Sequence, residues 1–163
     1  MPLILTLFLV ILALAWLGIV FFGPPYVPTH RRQLRKLLDE LRLSPRDHVV
    51  DLGAGDGQVL VEVARRGATA SGVELNPFLV LLAKWRLRRY STAKINFGNL
   101  WNYQLPEDTS YIFVFFAGGF MAKLEQYITN NKTKNPLRVI SYGFRFEDRR
   151  PIKTIGAFYI YEF

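Results

Sequence analysis

The sequence predicts a single α/β domain, built on a doubly wound and mostly parallel sheet and preceded by one membrane-spanning helix. Three observations support this fold class: an uncharged apolar run at the N-terminus, an alternation of strand-like and helix-like segments, and a glycine-rich turn after the first strand. Strands that alternate with helices need crossover connections, which favour parallel pairing with helices on both faces of the sheet.

Composition excludes several classes of site. The chain has 163 residues and a formal charge of +8, and half of its residues are hydrophobic. The part that follows the apolar run has the size of one ordinary domain, which can bury a core without crosslinks. The sequence has no cysteine, so it lacks a thiolate nucleophile and a cysteine-based zinc site. Its two histidines also argue against a multi-histidine metal centre. No metal site is therefore expected.

The N-terminal run, residues 3–22, reads LILTLFLVILALAWLGIVFF and contains no charged side chain. A helix of about twenty residues spans the roughly 30 Å hydrocarbon core of a bilayer. The run has no charged n-region and no small-residue cleavage motif after it, which favours an anchor over a cleaved signal peptide. Gly23, Pro24 and Pro25 then end the helix. We therefore divide the chain into an anchor, residues 1–23, and a domain, residues 24–163.

Basic residues follow the anchor at once and predict its orientation. His30, Arg31, Arg32, Arg35 and Lys36 lie close to the apolar run, whereas the other side carries almost no charge. By the positive-inside rule the domain faces the cytoplasm, or the corresponding side of the mitochondrial inner membrane in a eukaryote. The cluster either rests on anionic headgroups or forms a solvated helix face, and both interpretations stay open.

The first domain helix is predicted over residues 29–42, because four leucines recur there at the i, i+3, i+4 and i+7 spacing of one buried face. A later helix, residues 76–90, has its large apolar side chains at Phe78, Leu81, Leu82 and Trp85, which predicts that this face is buried. Trp101 is likewise interpreted as a packing residue. The remaining helices are expected at residues 58–66 and 121–129, and the strands at 48–52, 70–74, 94–97, 111–116 and 138–143, with a closing pair in 151–163.

The residues that carry chemistry concentrate in the turn after the first strand, which reads DLGAGDG. The turn lies at the carboxyl end of the predicted sheet, where open α/β folds bind ligands. Its glycines alternate, unlike the G-x-G-x-x-G of dinucleotide sites, and the G-K-[ST] of phosphate loops is absent. Asp51 and Asp56 flank the loop with no cation inside it, which opposes a pyrophosphate. They favour a cationic ligand, such as the sulfonium and ammonium groups of S-adenosylmethionine.

Polar side chains also follow the next two strands. Glu74 ends the second strand, and its carboxylate can accept both hydroxyls of an adenosine ribose, a feature shared with NAD-binding proteins. Asn99 lies in a Gly-Asn-Leu segment after the third strand, where its amide can meet the adenine amino group. A turn asparagine is the commoner role at such a position. These residues support an adenosine ligand without choosing one.

Together, the segments DLGAGDG, VELNP and GNL resemble the motifs of the class I, seven-strand S-adenosylmethionine-dependent methyltransferases, which have a Rossmann-like sheet. The resemblance covers residues 26–163. It is closest to small, often membrane-anchored enzymes in which a Tyr-Val-Pro-Thr-like segment, here residues 26–29, precedes the first helix. This subgroup includes the mitochondrial lysine methyltransferases of the ATP synthase c-subunit and the adenine nucleotide translocase.

The resemblance implies S-adenosylmethionine as the cofactor. In this comparison, the first motif holds the methionine end, Glu74 the ribose and Asn99 the adenine edge, while Tyr26 and Thr29 close the methyl-donor pocket. The family usually has Asp in place of Asn99 and often Arg in place of Gln58, so we expect weaker donor binding. The implied cofactor-binding residues are Tyr26, Thr29, Asp51, Gly53, Ala54, Gly55, Asp56, Glu74, Leu75, Asn76, Asn99 and Leu100.

The segment after the fourth strand bears on the methyl acceptor. It reads Phe-Phe-Ala-Gly-Gly and departs from the Asn-Pro-Pro-Tyr type that acts on base amines. Phe115, Phe116 and Tyr142 are candidates for the lining of an acceptor channel, although aromatic residues beside an apolar strand more often belong to the core. No catalytic base is identified, because an amine that is already neutral needs none.

The leading hypothesis is a membrane-tethered enzyme that methylates a lysine, or another amine, of a protein close to the membrane surface. Its expected partners are the bilayer and a protein substrate. A lipid or small-molecule methyltransferase, an RNA methyltransferase drawn by the positive charge, and a non-catalytic donor-binding module remain alternatives. The basic face formed by Lys84, Arg86, Arg88 and Arg89 is interpreted as solvated, so nucleic acid is not an expected partner.

Overall fold

The computed structural model describes residues 3–12, 30–116, 118–131, 133 and 136–163. Residues 3–12 are helical (α1), and their large apolar side chains are exposed. Within these described ranges, no helix is both long and apolar enough to cross a membrane. The predicted anchor continues through residues 13–22, which lie outside the described residues, so the anchor stays a prediction.

Seven strands form one sheet in the order β3-β2-β1-β4-β5-β7-β6. The first five strands pair in parallel, whereas β7 runs antiparallel to both β5 and β6. Every residue of the central strands β1 and β4 is buried, as expected for strands covered on both faces. The predicted seven-strand, mostly parallel sheet is confirmed. Its strands are β1 (His48–Leu52), β2 (Thr69–Glu74), β3 (Ala93–Phe97), β4 (Tyr111–Val114), β5 (Arg138–Tyr142), β6 (Lys153–Ile155) and β7 (Phe158–Glu162).

Helices cover both faces of this sheet. One core cluster joins α2, α3 and α4 to one face, and a second joins α5 and the segment after β3 to the other. In α2, Leu34, Leu37 and Leu38 are fully buried, which confirms the predicted leucine face. The helices are α2 (Arg31–Leu41), α3 (Gln58–Ala64), α4 (Pro77–Leu87) and α5 (Met121–Asn130).

Helix α4 corrects one prediction, because it buries a different face from the one its large apolar residues indicate. The buried residues are Val80, Ala83 and Leu87. Phe78 is 72% exposed and Trp85 is 62% exposed, and two leucines between them are also exposed. The residues wrongly assigned to the core are Phe78, Leu81, Leu82 and Trp85.

The reason is a close approach between α4 and the glycine-rich turn. A Cβ atom added to Gly57 would lie 2.9 Å from the Cβ atom of Ala83. Only small residues fit at this contact, so the alanine face of α4 turns inward. Because α4 is apolar on both faces, hydrophobic periodicity alone does not choose between them. Trp101, in contrast, is partly buried against the second core cluster, as predicted.

Candidate active site

The glycine-rich turn between β1 and α3 has the conformation that its sequence predicts. Gly53, Gly55 and Gly57 have φ angles of +83°, +54° and +77°, a region that L side chains rarely adopt. The amides of Gly53 and Ala54 both donate to the carbonyl oxygen of Val73 at 3.0 Å. These bonds attach the turn to β2 and hold it at the carboxyl edge of the sheet.

Gly72 was not singled out from the sequence, yet it controls how closely β2 approaches this turn. A Cβ atom at position 72 would lie 2.7 Å from the Cβ atom of Ala54 and 3.0 Å from a methyl group of Leu60. Any larger residue would therefore push the turn or α3 away from β2. A glycine in the interior of a strand is the sequence signal for such a close approach.

Glu74 links two of the predicted binding segments. Its Oε2 accepts a hydrogen bond from the Gly55 amide at 2.9 Å, and its Oε1 accepts one from the Asn76 amide at 2.8 Å. An ionised carboxylate offers roughly four acceptor positions, so two remain for the hydroxyls of a ribose. The Asn76 side chain caps α4 by accepting from the amides of Phe78 and Leu79. The carboxylate thus keeps the spare acceptors that a ribose site needs.

Asp51 gives the site its electrostatic character. The residue lies near the end of β1 and is 4% exposed. Burial, together with the nearby charges of Glu74 and Asp56, raises the pKa of the Asp51 carboxyl well above its usual range. A cation beside Asp51 would relieve this repulsion and compensate part of the burial cost. The donor set therefore fits a ligand that carries sulfonium and ammonium charges.

Asp56 shows that one step of the sequence interpretation is wrong, because a cation does reach this loop. The Asp56 Oδ2 pairs with the Arg86 guanidinium of α4, and its Oδ1 accepts from the Gln58 amide at 3.1 Å. Arg86 lies 30 residues further along the chain, so the motif itself does not reveal it. Asp56 thus links the loop to α4. Its direct contact with the methionine end of S-adenosylmethionine stays a prediction.

Asn99 and Leu100 follow β3 and come close to the end of β2. The Gly98 amide donates to the Glu74 carbonyl oxygen at 3.0 Å, which brings the segment after β3 to the end of β2. Asn99 is exposed, and its Oδ1 accepts from the Trp101 amide at 3.0 Å, as a turn asparagine does. The contact between Asn99 and adenine remains a prediction. Leu100 packs against the second core cluster.

The predicted channel aromatics follow β4 and end β5, next to the glycine turn. A Cβ atom at Gly53 would lie 3.6 Å from the Cε1 atom of Phe116, so this ring reaches the donor loop. The ring centroids of Phe115 and Tyr142 are 4.9 Å apart in an edge-to-face contact. All three rings are partly buried, intermediate between core and surface. The structure thus brings Phe115 and Tyr142 into contact at the carboxyl edge. Phe116 instead packs against the second core cluster, beside Trp101, and reaches the donor loop from the other face of the sheet.

Tyr142 also connects this edge to α2. Its hydroxyl donates to the Gln33 Oε1 at 3.1 Å. Gln33 did not attract attention in the sequence, where one glutamine on a charged helix gives no signal. Tyr26 and Thr29, the residues predicted to close the methyl-donor pocket, lie outside the described residues.

Comparisons with known proteins bear directly on these motifs. Residues 51–153 match the family described as the ANTKMT methyltransferase domain. The chain is 31% identical over 135 residues to the ATP synthase c-subunit lysine N-methyltransferase of Homo sapiens, an alignment that covers 81% of this chain and 57% of that protein. It therefore spans little more than half the length of this relative. A protein-lysine N-methyltransferase of Saccharolobus islandicus is 28% identical over 136 residues, covering 80% of this chain and 83% of that protein.

A solved structure gives the same picture of the fold. An RNA methyltransferase from Salinibacter ruber, crystallised with S-adenosyl-L-homocysteine, superposes with a TM-score of 0.76 at 20% identity, covering 83% of this chain and 93% of that one. At this identity the likeness shows the fold alone. The resemblance to seven-strand methyltransferases, first noted in three short motifs, is confirmed by the family match and by this topology.

Proposed function

Because the chain belongs to the ANTKMT methyltransferase family, we propose that it transfers a methyl group from S-adenosylmethionine to a lysine side chain of a protein. The observation that carries this proposal is the meeting of Asp51, Glu74 and the glycine turn at the carboxyl edge of the sheet. The bound cofactor supplies a methyl group that its sulfonium already activates. The chain itself must bind the donor and align the acceptor.

Donor binding is assigned to the two carboxylates. The Glu74 carboxylate accepts from the ribose hydroxyls with the two positions that the backbone leaves open. Asp51, ionised when a cation lies beside it, attracts the positive methionine end. Gly53 and Gly55 have no side chains, so the backbone can approach the ligand closely there. Both also have positive φ angles, which glycine adopts readily.

Acceptor alignment is assigned to Phe115, Phe116 and Tyr142. A lysine amine must be neutral to attack, and both burial among aromatic rings and the nearby cationic donor lower its pKa. A dedicated base is then unnecessary. Correct placement of two reactants can contribute about 7–11 kcal/mol to lowering a barrier. The aromatic edge therefore provides desolvation and orientation rather than proton transfer.

The acceptor is further proposed to lie close to a membrane. The apolar run of residues 3–22 supports a tether, and basic residues at the start of α2 lie just beyond it. The substrate named for the human relative, the c-subunit of the ATP synthase, supports a protein acceptor. A tether raises the local concentration of membrane-bound acceptors without adding any contact at the active site.

Calorimetry on the full chain in nanodiscs tests the donor site. S-adenosylmethionine is expected to bind, NAD to bind much more weakly, and Glu74→Ala to weaken donor binding about tenfold or more, equivalent to 1.4 kcal/mol. Glu147→Ala is the matched control, since Glu147 is an exposed carboxylate on a different segment. Equal affinities for NAD and S-adenosylmethionine, or equal effects of the two variants, would overturn the donor assignment.

Radiolabelled donor tests the acceptor. Incubation of the full chain with membrane fractions is expected to label protein, and mass spectrometry is expected to place the methyl groups on lysine. Label that enters the organic phase would identify a lipid acceptor, and label in RNA would identify a nucleic acid acceptor. Either result would replace the protein-lysine proposal while leaving the donor site intact.

A further inference from the structure

The outer face of α4 carries a stripe of apolar side chains that are exposed to solvent. Phe78, Leu81, Leu82 and Trp85 follow the i, i+3, i+4 and i+7 spacing of one helical face, and all four are exposed. Phe97 of β3 is also 63% exposed and pairs with Glu74, three residues before α4 begins. Contiguous exposed apolar patches on a folded domain mark surfaces that contact something else.

Cations border this stripe. Lys84, Arg88 and Arg89 are exposed on or just after α4. The Arg88 guanidinium lies 4.3 Å from the ring centroid of Trp85 and donates to the Trp85 carbonyl oxygen at 2.9 Å. No Asp or Glu occurs in the sequence between Glu74 and Glu107. The surface is therefore apolar at its centre and positive at its border.

We propose that this face of α4 rests on the surface of an anionic lipid bilayer. Tryptophan, phenylalanine and leucine bordered by lysine and arginine are the side chains that helices in the membrane interface present to lipid. The opposite face of α4 is buried in the core, so only this face is free to meet a bilayer. Such a helix buries its apolar side chains at the headgroup boundary while its cations contact lipid phosphates. This contact is made by the domain itself and is distinct from the predicted anchor of residues 3–22.

Charge argues against a second copy of the chain as the occupant. A two-fold symmetric contact through this stripe would place Lys84, Arg88 and Arg89 opposite the same cations of the other copy. Like charges across an interface are unfavourable. An anionic surface has the opposite property, since each of the three cations gains from its approach.

The position of α4 in the fold is compatible with contact between this helix and a bilayer. Helix α4 packs in the same layer as α2, on one face of the sheet, with α3 touching both. Helix α2 begins at Arg31, shortly after the predicted anchor. A chain that leaves the membrane before α2 can therefore bring this layer down onto the same bilayer.

Docking through α4 would also hold the donor site at a set distance from the lipid. Asn76 caps α4, and the Asn76 amide donates to Glu74, which is the proposed ribose ligand. A helix resting on the bilayer thus connects to the cofactor site through one residue. The docking itself does not require that methyl transfer occur, so the two proposals fail separately.

A single-cysteine experiment on the full chain tests whether the outer face of α4 contacts the bilayer. The experiment is possible because the chain has no native cysteine. Leu81→Cys places a label on the stripe, and Gln126→Cys places the same label on the exposed side of α5, across the sheet. Each protein is labelled with an environment-sensitive fluorophore and reconstituted in nanodiscs of phosphatidylcholine, with or without phosphatidylserine. Brominated lipids serve as the quencher. Both variants retain the predicted anchor, so they differ only in which face of the domain carries the fluorophore.

The label at position 81 is expected to shift to shorter wavelength and to be quenched in phosphatidylserine nanodiscs, whereas the label at position 126 should do neither. Phosphatidylcholine alone should give weaker quenching, and added salt should reduce the signal in anionic nanodiscs. A water-like label at position 81 in anionic nanodiscs would overturn the proposal. So would equal quenching in the two lipid compositions, or a blue shift in lipid-free detergent that grows with protein concentration, which would identify a second copy.

Charge reversal provides the second arm. In the Leu81→Cys background, Lys84→Glu with Arg89→Glu is expected to reduce the docking equilibrium by about fivefold or more per site. Arg46→Glu with Arg150→Glu changes the net charge equally at two exposed positions away from α4 and is expected to leave quenching unchanged. Equal effects of the two pairs would mean that net charge, and not this surface, controls the signal. Circular dichroism confirms that each variant folds.

Discussion

Asp51, a proposed donor-binding residue, illustrates how a buried carboxyl can lower the stability of the free fold. Its carboxyl is buried next to Glu74 and Asp56, and its pKa is raised as a result. A carboxyl whose folded pKa exceeds its unfolded value binds protons more tightly in the folded state. Its ionisation therefore removes stability as the pH rises from the ordinary aspartate pKa through the raised value.

Asp51→Asn is accordingly expected to stabilise the free protein at neutral pH while weakening donor binding. A gain of about 0.5–2 kcal/mol is the common size for a single stabilising substitution. Denaturant unfolding across a pH series measures the gain, and calorimetry measures the donor. A variant that lost stability at neutral pH, or kept full donor affinity, would contradict this account of Asp51.

His48 shows a second residue-scale feature, a serine-histidine-aspartate arrangement without a route for a substrate. Its Nε2 lies 2.8 Å from the Ser71 Oγ, and its Nδ1 lies 2.9 Å from the Asp108 Oδ1. Ser71 is fully buried, and His48 begins β1, at the opposite end of that strand from Asp51. The arrangement is therefore a structural link between β1, β2 and the loop before β4.

The hydrogen bond from His48 lowers the pKa of the Asp108 carboxyl, although burial opposes the shift. A depressed carboxyl pKa adds stability above the ordinary aspartate value and loses it as the pH falls through the folded value. Asp108→Asn is expected to move acid unfolding to slightly higher pH, by a small amount because Asp108 is 72% exposed. Asp148→Asn, at another exposed aspartate, serves as the comparison and should leave the acid midpoint where it is.

At the scale of elements, the contact between α4 and the glycine turn decides which side of α4 is buried. Ala83 is fully buried and faces Gly57, where an added Cβ atom would lie only 2.9 Å from the Ala83 Cβ atom. The same helix carries Arg86, which pairs with Asp56 of the turn. Packing and charge thus act on one interface, and both require α4 in this orientation.

Ala83→Leu is therefore expected to destabilise the protein by about 1–3 kcal/mol, the usual cost of overpacking a close contact. Leu81→Ala, on the exposed face, is expected to change stability by less than about 0.5 kcal/mol. Chemical denaturation of both variants distinguishes the structure from the hydropathy pattern, which predicts the opposite order. A larger loss from Leu81→Ala would mean that α4 is rotated.

At the scale of the whole molecule, α2 belongs to the same core as the strands that close the sheet. The cluster that contains Leu37 also contains Phe158 and Ile160 of β7. Arg35 of α2 adds an ion pair to the buried Glu62 of α3 at 3.0 Å. The helix nearest the predicted anchor is thus a structural part of the methyltransferase domain.

Leu37→Ala is expected to lower the stability of the whole domain by about 2–5 kcal/mol, because Leu37 is fully buried. Loss of helical signal and change in tryptophan fluorescence should then coincide in one transition. An early transition confined to part of the helical signal would instead indicate that α2 detaches from an otherwise folded domain.

Much of this protein follows from its sequence alone. The alternating elements, the glycine turn, the carboxylate at the end of β2 and the buried leucines of α2 were all predicted correctly. Each depends on local rules: glycine is needed where φ is positive, and apolar residues repeat with the period of their own element. These features depend on residues that are close together in the sequence, so a local motif is enough to predict them.

Only the tertiary structure decided which face of α4 is buried, that Arg86 reaches Asp56, and that Gly72 sets the approach of β2 to the turn. The physical reason is that each depends on the distance between side chains far apart in sequence. An apolar helix can satisfy its period on either face, so the choice is made by the space its neighbours leave. That choice leaves Phe78 and Trp85 on the surface, although the sequence pattern predicts that they are buried.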